Sequence, residues 1–160
     1  MALVGDVLDR LENDNAYFDE HDERHVETGT YNAVIVALRY RTDVTTKNGA
    51  ICDIYWPRYC IAHDDPKFSL HLVRDSGLFR YRSPTSRTQN IHYKKFLDRL
   101  EIPLNKREID GKIRYLLPPL TSDLVVKKEV VINVFTDEWS DRKGYHRIPV
   151  ANLSRIRNDN

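Results

Sequence analysis

The chain has 160 residues, of which 41% are hydrophobic and 31% charged, with a formal net charge of +1. This composition is that of one ordinary globular domain and excludes a collagen-like, coiled-coil or largely disordered protein. The longest apolar runs fall far short of the ~20 residues that a transmembrane helix needs, and no secretory signal begins the sequence, so we expect a soluble, cytoplasmic protein.

Residues 1–28 form an acidic segment that differs in charge from the rest of the chain. Up to Thr30 there are nine Asp and Glu against two Arg, a net charge of −7, so the remaining residues carry +8. Apolar residues at helical spacing near the start predict a short amphipathic helix followed by a flexible linker. We expect the folded domain to span residues 29–157, and its basic excess favours an anionic partner.

Two strands are predicted in succession after Gly29. Tyr31 to Tyr40 is rich in β-branched and aromatic residues, and a polar run, Thr42 to Gly49, follows it and ends in a turn-forming Asn-Gly pair. Ile51 to Ile61 continues as the second strand. Pro57 lies inside this strand, which predicts an edge position or a β-bulge because proline lacks the backbone N–H that a ladder requires.

The middle of the chain predicts a short helix, a third strand and a longer helix. Asp65-Pro66 is a typical helix start, so residues 65–76 are expected to be a short helix, with a strand as the alternative. Leu78 to Arg82 alternates between apolar and polar residues and predicts the third strand. From Asn90 an apolar stripe predicts a helix that ends before the next proline. The stripe consists of Tyr93, Phe96, Leu97 and Leu100.

The last part of the chain predicts two hairpins. Glu108 to Leu117 is typical of a small hairpin because an Asp-Gly pair lies at its centre. Lys128 to Phe135 and Tyr145 to Leu153 predict two further strands, joined by a polar loop from Thr136 to Gly144. The predicted order is therefore three strands, a helix and a final hairpin.

The sequence carries no recognisable catalytic motif. His21 and His25 are spaced like the pair of a zinc-protease helix, but Asp22 occupies the place of the general-base Glu. No phosphate-binding loop and no nucleophile elbow occurs. The remaining possible zinc ligands are Cys52, Cys60, His63 and His71. Their spacing is not that of a structural zinc site, so we interpret the cysteines as buried thiols and expect no enzymatic activity, metal or cofactor.

Aromatic and basic residues are mixed on the second and third strands and in the last hairpin. This mixture is typical of proteins that hold single-stranded nucleic acid, because rings stack on bases while cations contact phosphates. The candidate nucleic-acid-binding residues are Lys47, Tyr55, Trp56, Arg58, Tyr59, Phe79, Arg80, Tyr81, Arg82, Trp139, Arg142 and Lys143. Because strands alternate, some rings must lie in the core, and we expect Trp56 among them since it shares a face with Cys52 and Cys60. Trp139 is expected to be exposed in its polar loop.

The order of elements is that of the OB-fold, a five-stranded barrel whose second and third strands and two flanking loops bind the ligand. Four segments also resemble the corresponding parts of phage-encoded single-stranded-DNA-binding proteins. They are Gly29-Thr30-Tyr31, Thr46 to Gly49, Tyr93 to Ile102 and Val130 to Arg147. The resemblance implies a role in protecting single strands during phage replication or recombination, with replication or recombination proteins as further partners.

Several alternatives stay open at the level of sequence. The same fold serves as a protein-binding module that inhibits or recruits a partner, and a small nuclease leaves no linear motif when its carboxylates assemble only in space. The sequence does not distinguish DNA from RNA, or a monomer from a homo-oligomer. Residues 153–160 are basic to neutral, so recruitment through an acidic tail is not expected.

Overall fold

Strands form most of the part of this protein that the structure describes. The computed structural model describes residues 26–62, 71–84 and 88–157, so the predicted N-terminal helix and linker lie almost wholly outside the described residues. In chain order the elements are β1 (Gly29–Thr45), β2 (Ile51–Ile61), β3 (Leu72–Asp75), β4 (Leu78–Tyr81), α1 (Ile91–Arg99), β5 (Asn105–Ile109), β6 (Lys112–Leu116), α2 (Ser122–Val125), β7 (Glu129–Asp141) and β8 (Gly144–Ile156).

Five of the strands close into a barrel. The order is β1, β7, β8, β3 and β2, and β2 pairs back onto β1. All of these pairs are antiparallel except β3 with β8, which is parallel. β4 adds one strand beside β2, and β5 with β6 forms a separate hairpin. The predicted mainly-β, five-stranded, OB-fold-like barrel is therefore confirmed.

β1 pairs with one strand on each of its edges, and its register with β2 shifts twice. Its first half pairs with β7 and most of its length pairs with β2, with register shifts between Ile35 and Ala37 and between Arg41 and Val44. Such bulges bend a strand and increase its twist, as closing a barrel requires. Pro57 is tolerated nearby, since it lies between the stretches of β2 that pair with β4 and with β3 and has no partner from either.

The helix α1 packs one face onto the barrel. Its apolar stripe is buried as predicted, and it joins inward residues of β1, β2, β7 and β8 in one core. Asn90 precedes the helix and binds the free edge of β4, where its side chain accepts from the Tyr81 N–H at 2.8 Å and donates to the Tyr81 carbonyl at 3.0 Å. The edge of β4 is thereby covered at this point, which reduces its tendency to pair with another strand.

The structure differs from the predicted elements in three places. Leu72–Asp75 is a strand and not part of a helix, and it is this strand, β3, that closes the barrel. Leu78–Tyr81 is a strand as predicted, but it lies beside β2 outside the closed ring. The region predicted as a loop from Thr136 to Gly144 is instead mostly paired, so β7 and β8 extend to a two-residue turn at Arg142 and Lys143.

Candidate nucleic-acid interface

Four arginines lie together on the outer face of the barrel. Strand pairing places Arg39 opposite Trp56 and Arg41 opposite Ile54, and Arg58 pairs with Arg74 on β3. On β2 the alternate residues Tyr55, Pro57 and Tyr59 are buried, and Tyr40 between the two β1 arginines pairs with Tyr55, so the four arginine side chains are on the opposite surface of the sheet. We call this surface, formed by Arg39, Arg41, Arg58 and Arg74, the arginine face. Within the described part of the chain, none of the four guanidinium groups forms an ion pair or a hydrogen bond.

Three aromatic side chains border the arginine face. Trp56 is half-buried and lies against the turn between β3 and β4, where a Cβ atom added at Gly77 would be 3.2 Å from the indole Nε1. Phe79 pairs with Ile54 across β2 and β4, so it is on the same outer surface. The Phe79 and Tyr81 rings stack with centroids 6.4 Å apart and planes inclined by 21°. Exposed rings beside uncompensated cations are what single-stranded nucleic acid requires.

The inward face of β2 holds two of the rings that were predicted to stack on bases. Tyr55 and Tyr59 are 2% and 0% exposed and belong to the core, so a base cannot reach them. Tyr55 packs on Tyr93 with ring centroids 5.9 Å apart, and the Tyr59 hydroxyl donates to Asp75 Oδ2 at 2.6 Å. The expectation that Trp56 is the buried ring is wrong. Asp75, which accepts from the Tyr59 hydroxyl, and the Tyr93 ring of α1 both lie on the other side of β2.

Asp53 holds two of the candidate phosphate-binding arginines. It is 2% exposed, and its carboxylate accepts hydrogen bonds from Arg80 at 3.1 Å and from Arg82 at 2.7 Å. Burial alone raises the pKa of Asp53. Hydrogen bonds from Arg82, the Asp43 backbone N–H and Arg80, together with the charge of Arg82, outweigh burial and lower the pKa. Arg80 also donates to the Leu117 carbonyl. The charges of Arg80 and Arg82 are thus largely compensated within the protein.

The remaining predicted residues lie at the two ends of the arginine face. Lys47 is exposed in the turn between β1 and β2, and Arg142 and Lys143 are exposed in the turn between β7 and β8. Because β8 runs parallel to β3, the second turn lies toward the end where β2 finishes, opposite the first turn. Trp139 is 40% exposed on β7 and stacks on His146 of β8, with ring centroids 5.1 Å apart.

Three arginines of this surface were missed by the sequence analysis. Arg39 and Arg41 stand at the end of the predicted first strand, where their spacing of two already placed them on one face. Arg74 fell in the segment expected to be helical, so its strand face was not considered. β1 and β3 both pair with β2, and this pairing brings the three arginines onto one surface. The sequence of a single strand does not show which strands it pairs with.

The histidines and cysteines that the sequence offers as metal ligands do not form a site among the residues that the structure describes. Within residues 26–62, 71–84 and 88–157, no three His, Cys, Asp or Glu side chains are grouped so as to hold a metal ion. Cys52 is a buried free thiol as predicted, whereas Cys60 is only partly buried. His21, His25 and His63 lie outside the described residues. No described helix is long and apolar enough to cross a membrane.

The fold and this surface define the chain as an OB-fold-like β-barrel with a basic, aromatic outer face. No known protein family and no curated protein matches it.

Proposed function

We propose that this protein is a non-catalytic single-stranded-DNA-binding protein that holds its ligand on the arginine face. The observation that carries the proposal is the group of four arginines without described ion-pair partners beside exposed Phe79 and half-buried Trp56. Keeping like charges together on a sheet without compensating acids costs stability, and an anionic ligand removes that cost. The proposed surface is also the one on which OB-folds bind oligonucleotides.

Binding on this face would depend little on base sequence. The guanidinium groups contact phosphates, which every nucleotide presents, and the rings stack on bases through π-faces that all four bases share. Lys47 at one end and Arg142 with Lys143 at the other extend the positive surface beyond the barrel wall. A strand crossing the sheet from β1 to β4 would meet the arginines of β1 first, Trp56 on β2 next and the Phe79 ring on β4 last.

The resemblance to phage-encoded single-stranded-DNA-binding proteins supports a role in phage-type DNA replication or recombination. In that role the protein would coat exposed single strands, and replication or recombination enzymes would be its protein partners. Titration with oligo-dT, an RNA of the same length and duplex DNA decides the ligand class. A preference for RNA would replace the DNA assignment and keep the site.

Replacing Arg39 and Arg41 with Ala tests the arginine face directly. Each phosphate contact on a single strand contributes about 0.7 to the slope of log affinity against log salt concentration, so the double variant should lose about 1.4 of that slope. Both side chains are exposed and have no partner in the described part of the chain, so the melting temperature should hardly change. Fluorescence titration with oligo-dT across a salt series measures the slope.

Arg107 and Arg114 provide a matched control for this variant. They are an exposed cross-strand pair on the separate β5–β6 hairpin, so their replacement removes the same charge elsewhere. Equal loss of salt dependence in both double variants would mean that binding follows net charge and not the arginine face. Absence of DNA binding together with tight binding of a protein partner would favour the protein-binding module, and metal-dependent cleavage of DNA would reveal a nuclease.

Trp139 tests whether the β7–β8 hairpin takes part in binding. Beyond Val134, β7 no longer pairs with β1, and Trp139 rests only partly covered on His146. We expect Trp139→Ala to weaken oligo-dT binding by about 1–3 kcal/mol, the value of one base stacked on a ring. A lower melting temperature with unchanged affinity would show that the ring only supports the hairpin; His146→Ala, which retains the indole, is the control for that support.

A further inference from the structure

A cleft of about 630 Å³ opens between β4 and the exposed side of α1. Phe79 and Tyr81 line one wall, and His92, Lys95 and Arg99 line the other. These last three residues stand at positions i, i+3 and i+7, so they follow one face of the helix. Clefts of about 300–1,000 Å³ are large enough to enclose a ligand of nucleotide size.

The cleft is basic and has little internal compensation. His92 and Lys95 are exposed and have no described hydrogen-bond or ion-pair partner, while Arg99 donates one hydrogen bond to the Leu153 carbonyl at 3.0 Å. Asp75 is the acidic residue among the described lining groups. It is buried, and its two oxygens accept from the Tyr59 hydroxyl and the Gly77 N–H. Its carboxylate is therefore occupied within the protein.

The cleft is continuous with the arginine face. Phe79 lies beside Ile54 on β2, and Ile54 lies beside Arg41 on β1, so Arg41 and Phe79 are two strand spacings apart. Two spacings amount to roughly 10 Å. The stacked Phe79 and Tyr81 rings thus stand at the boundary between the two surfaces, with the helix cations on the far side.

We infer that the single strand continues from the arginine face over Phe79 and Tyr81 into this cleft, where a base stacks on the rings and the adjoining phosphate contacts Lys95 and His92. This inference rests on the proposed function and adds a second segment to the binding track. It assigns α1, which otherwise closes the barrel core, a role in holding the ligand. The ligand class is a nucleotide unit of a single strand, recognised by its ring and its phosphate.

Adjacent lysines on α1 give a matched pair of variants. Lys95 lines the cleft, whereas Lys94 is on another side of the helix, where it forms an ion pair with Asp98 at 2.7 Å and lies 4.7 Å from the Tyr115 ring centroid. Lys95→Ala should lower the salt slope of oligo-dT binding by about 0.7, the value of one phosphate contact. Lys94→Ala removes the same charge and should leave the slope unchanged.

A footprint on the unmodified protein gives a second readout. Acylation of lysine amines, followed by peptide mass spectrometry, should show that saturating oligo-dT protects Lys95 several-fold more than Lys94. Equal slopes for the two variants and equal protection of the two amines would overturn the cleft inference. If the Arg39 and Arg41 variant still loses its salt dependence in that case, the proposed function stands alone; if the wild-type protein shows no salt-dependent binding of oligo-dT, both proposals are wrong.

Discussion

Replacing Asp53 with Ala is expected to lower the free energy of unfolding by about 3 kcal/mol. The substitution leaves Arg80 and Arg82 without the buried carboxylate that binds both. Removing one partner of a buried ion pair costs about 3–5 kcal/mol. The lower end applies because the side chains of Arg80 and Arg82 are 23% and 42% exposed and regain some hydration. Urea unfolding followed by circular dichroism measures the difference.

Asp43→Asn is the matched control for this prediction, because it removes the charge while Asn, like Asp, tolerates the positive φ of 58° at this position. Asp43 also forms an ion pair with Arg82, but its side chain is 69% exposed, so its loss should cost less than about 1 kcal/mol. The pKa of Asp53 lies below its ordinary value of 3.8 in the folded protein, so its stabilising effect is present above about pH 4. The effect is lost as the pH falls through the folded pKa, and the wild-type protein and Asp53→Ala should then converge. Equal losses for both variants at pH 7 would contradict the structural role of Asp53.

Asp75→Asn is expected to raise stability at neutral pH. Burial raises the pKa of Asp75 from 3.8 to about 6, although hydrogen bonds from the Tyr59 hydroxyl and the Gly77 N–H act in the opposite direction. Holding this carboxylate ionised above pH 6 therefore costs up to about 3 kcal/mol. An amide of the same shape avoids that cost, because the Tyr59 hydroxyl can turn to accept from its NH₂ group while the carbonyl still accepts from Gly77.

The pH dependence identifies the cause of this stabilisation. Because the folded pKa is raised, the contribution of Asp75 to wild-type stability should be greatest below about pH 4, fall as the pH rises to about 6 and then level off. Asp75→Asn should lack this decline, which thermal unfolding between pH 4 and pH 8 measures. Tyr59→Phe, which removes one donor to the carboxylate, should cost about 2 kcal/mol at pH 8 and less at pH 4. A variant Asp75→Asn that is less stable than wild type at pH 8 would refute this account.

The elements that the sequence predicts well are those whose signals are local. β2 begins and ends at the predicted residues, and the four-residue stripe of α1 is buried as its spacing requires. The Asp-Gly pair forms the β5–β6 turn, with positive φ at both Asp110 and Gly111. In each case a few neighbouring residues decide the structure, and the rest of the fold does not oppose them.

The errors arise where distant residues decide. β2 carries aromatic rings on both faces, so its alternation cannot show which face is buried; Asp75 and Tyr93 settle it in favour of Tyr55 and Tyr59. β3 is four residues long and follows residues that are typical of a helix start, so its pairing with β2 and with β8 determines it more than its own sequence does. The outer parts of β7 and β8 have exposed side chains on both faces, and a strand that is solvated in this way has the composition of a loop.

The same limitation affected the candidate site. Phe79 is exposed on the barrel surface, and Trp56, which was expected in the core, is half-buried there, whereas Arg80 and Arg82 were assigned to phosphates although they bind Asp53. An acid that neutralises an arginine from a neighbouring strand is invisible in the sequence of either strand. Arg39 and Arg41, by contrast, lack such an acid among the described residues, and only the paired structure shows it.

The parallel contact between β3 and β8 also has a consequence for how the chain folds. It joins residues far apart in sequence, since the Ser76 hydroxyl donates to Asn152 Oδ1 at 2.6 Å across a separation of 76 residues. Among the described residues, only Arg74 with Val150 and Asp75 with Ala151 pair between β3 and β8. Closing the long loop between β3 and β8 costs much chain entropy, and few contacts offset that cost. By contrast, β1 with β2 and β7 with β8 are hairpins, whose strands are close in sequence and pair locally. We therefore expect the two hairpins to form first and the pairing of β3 with β8 to complete folding.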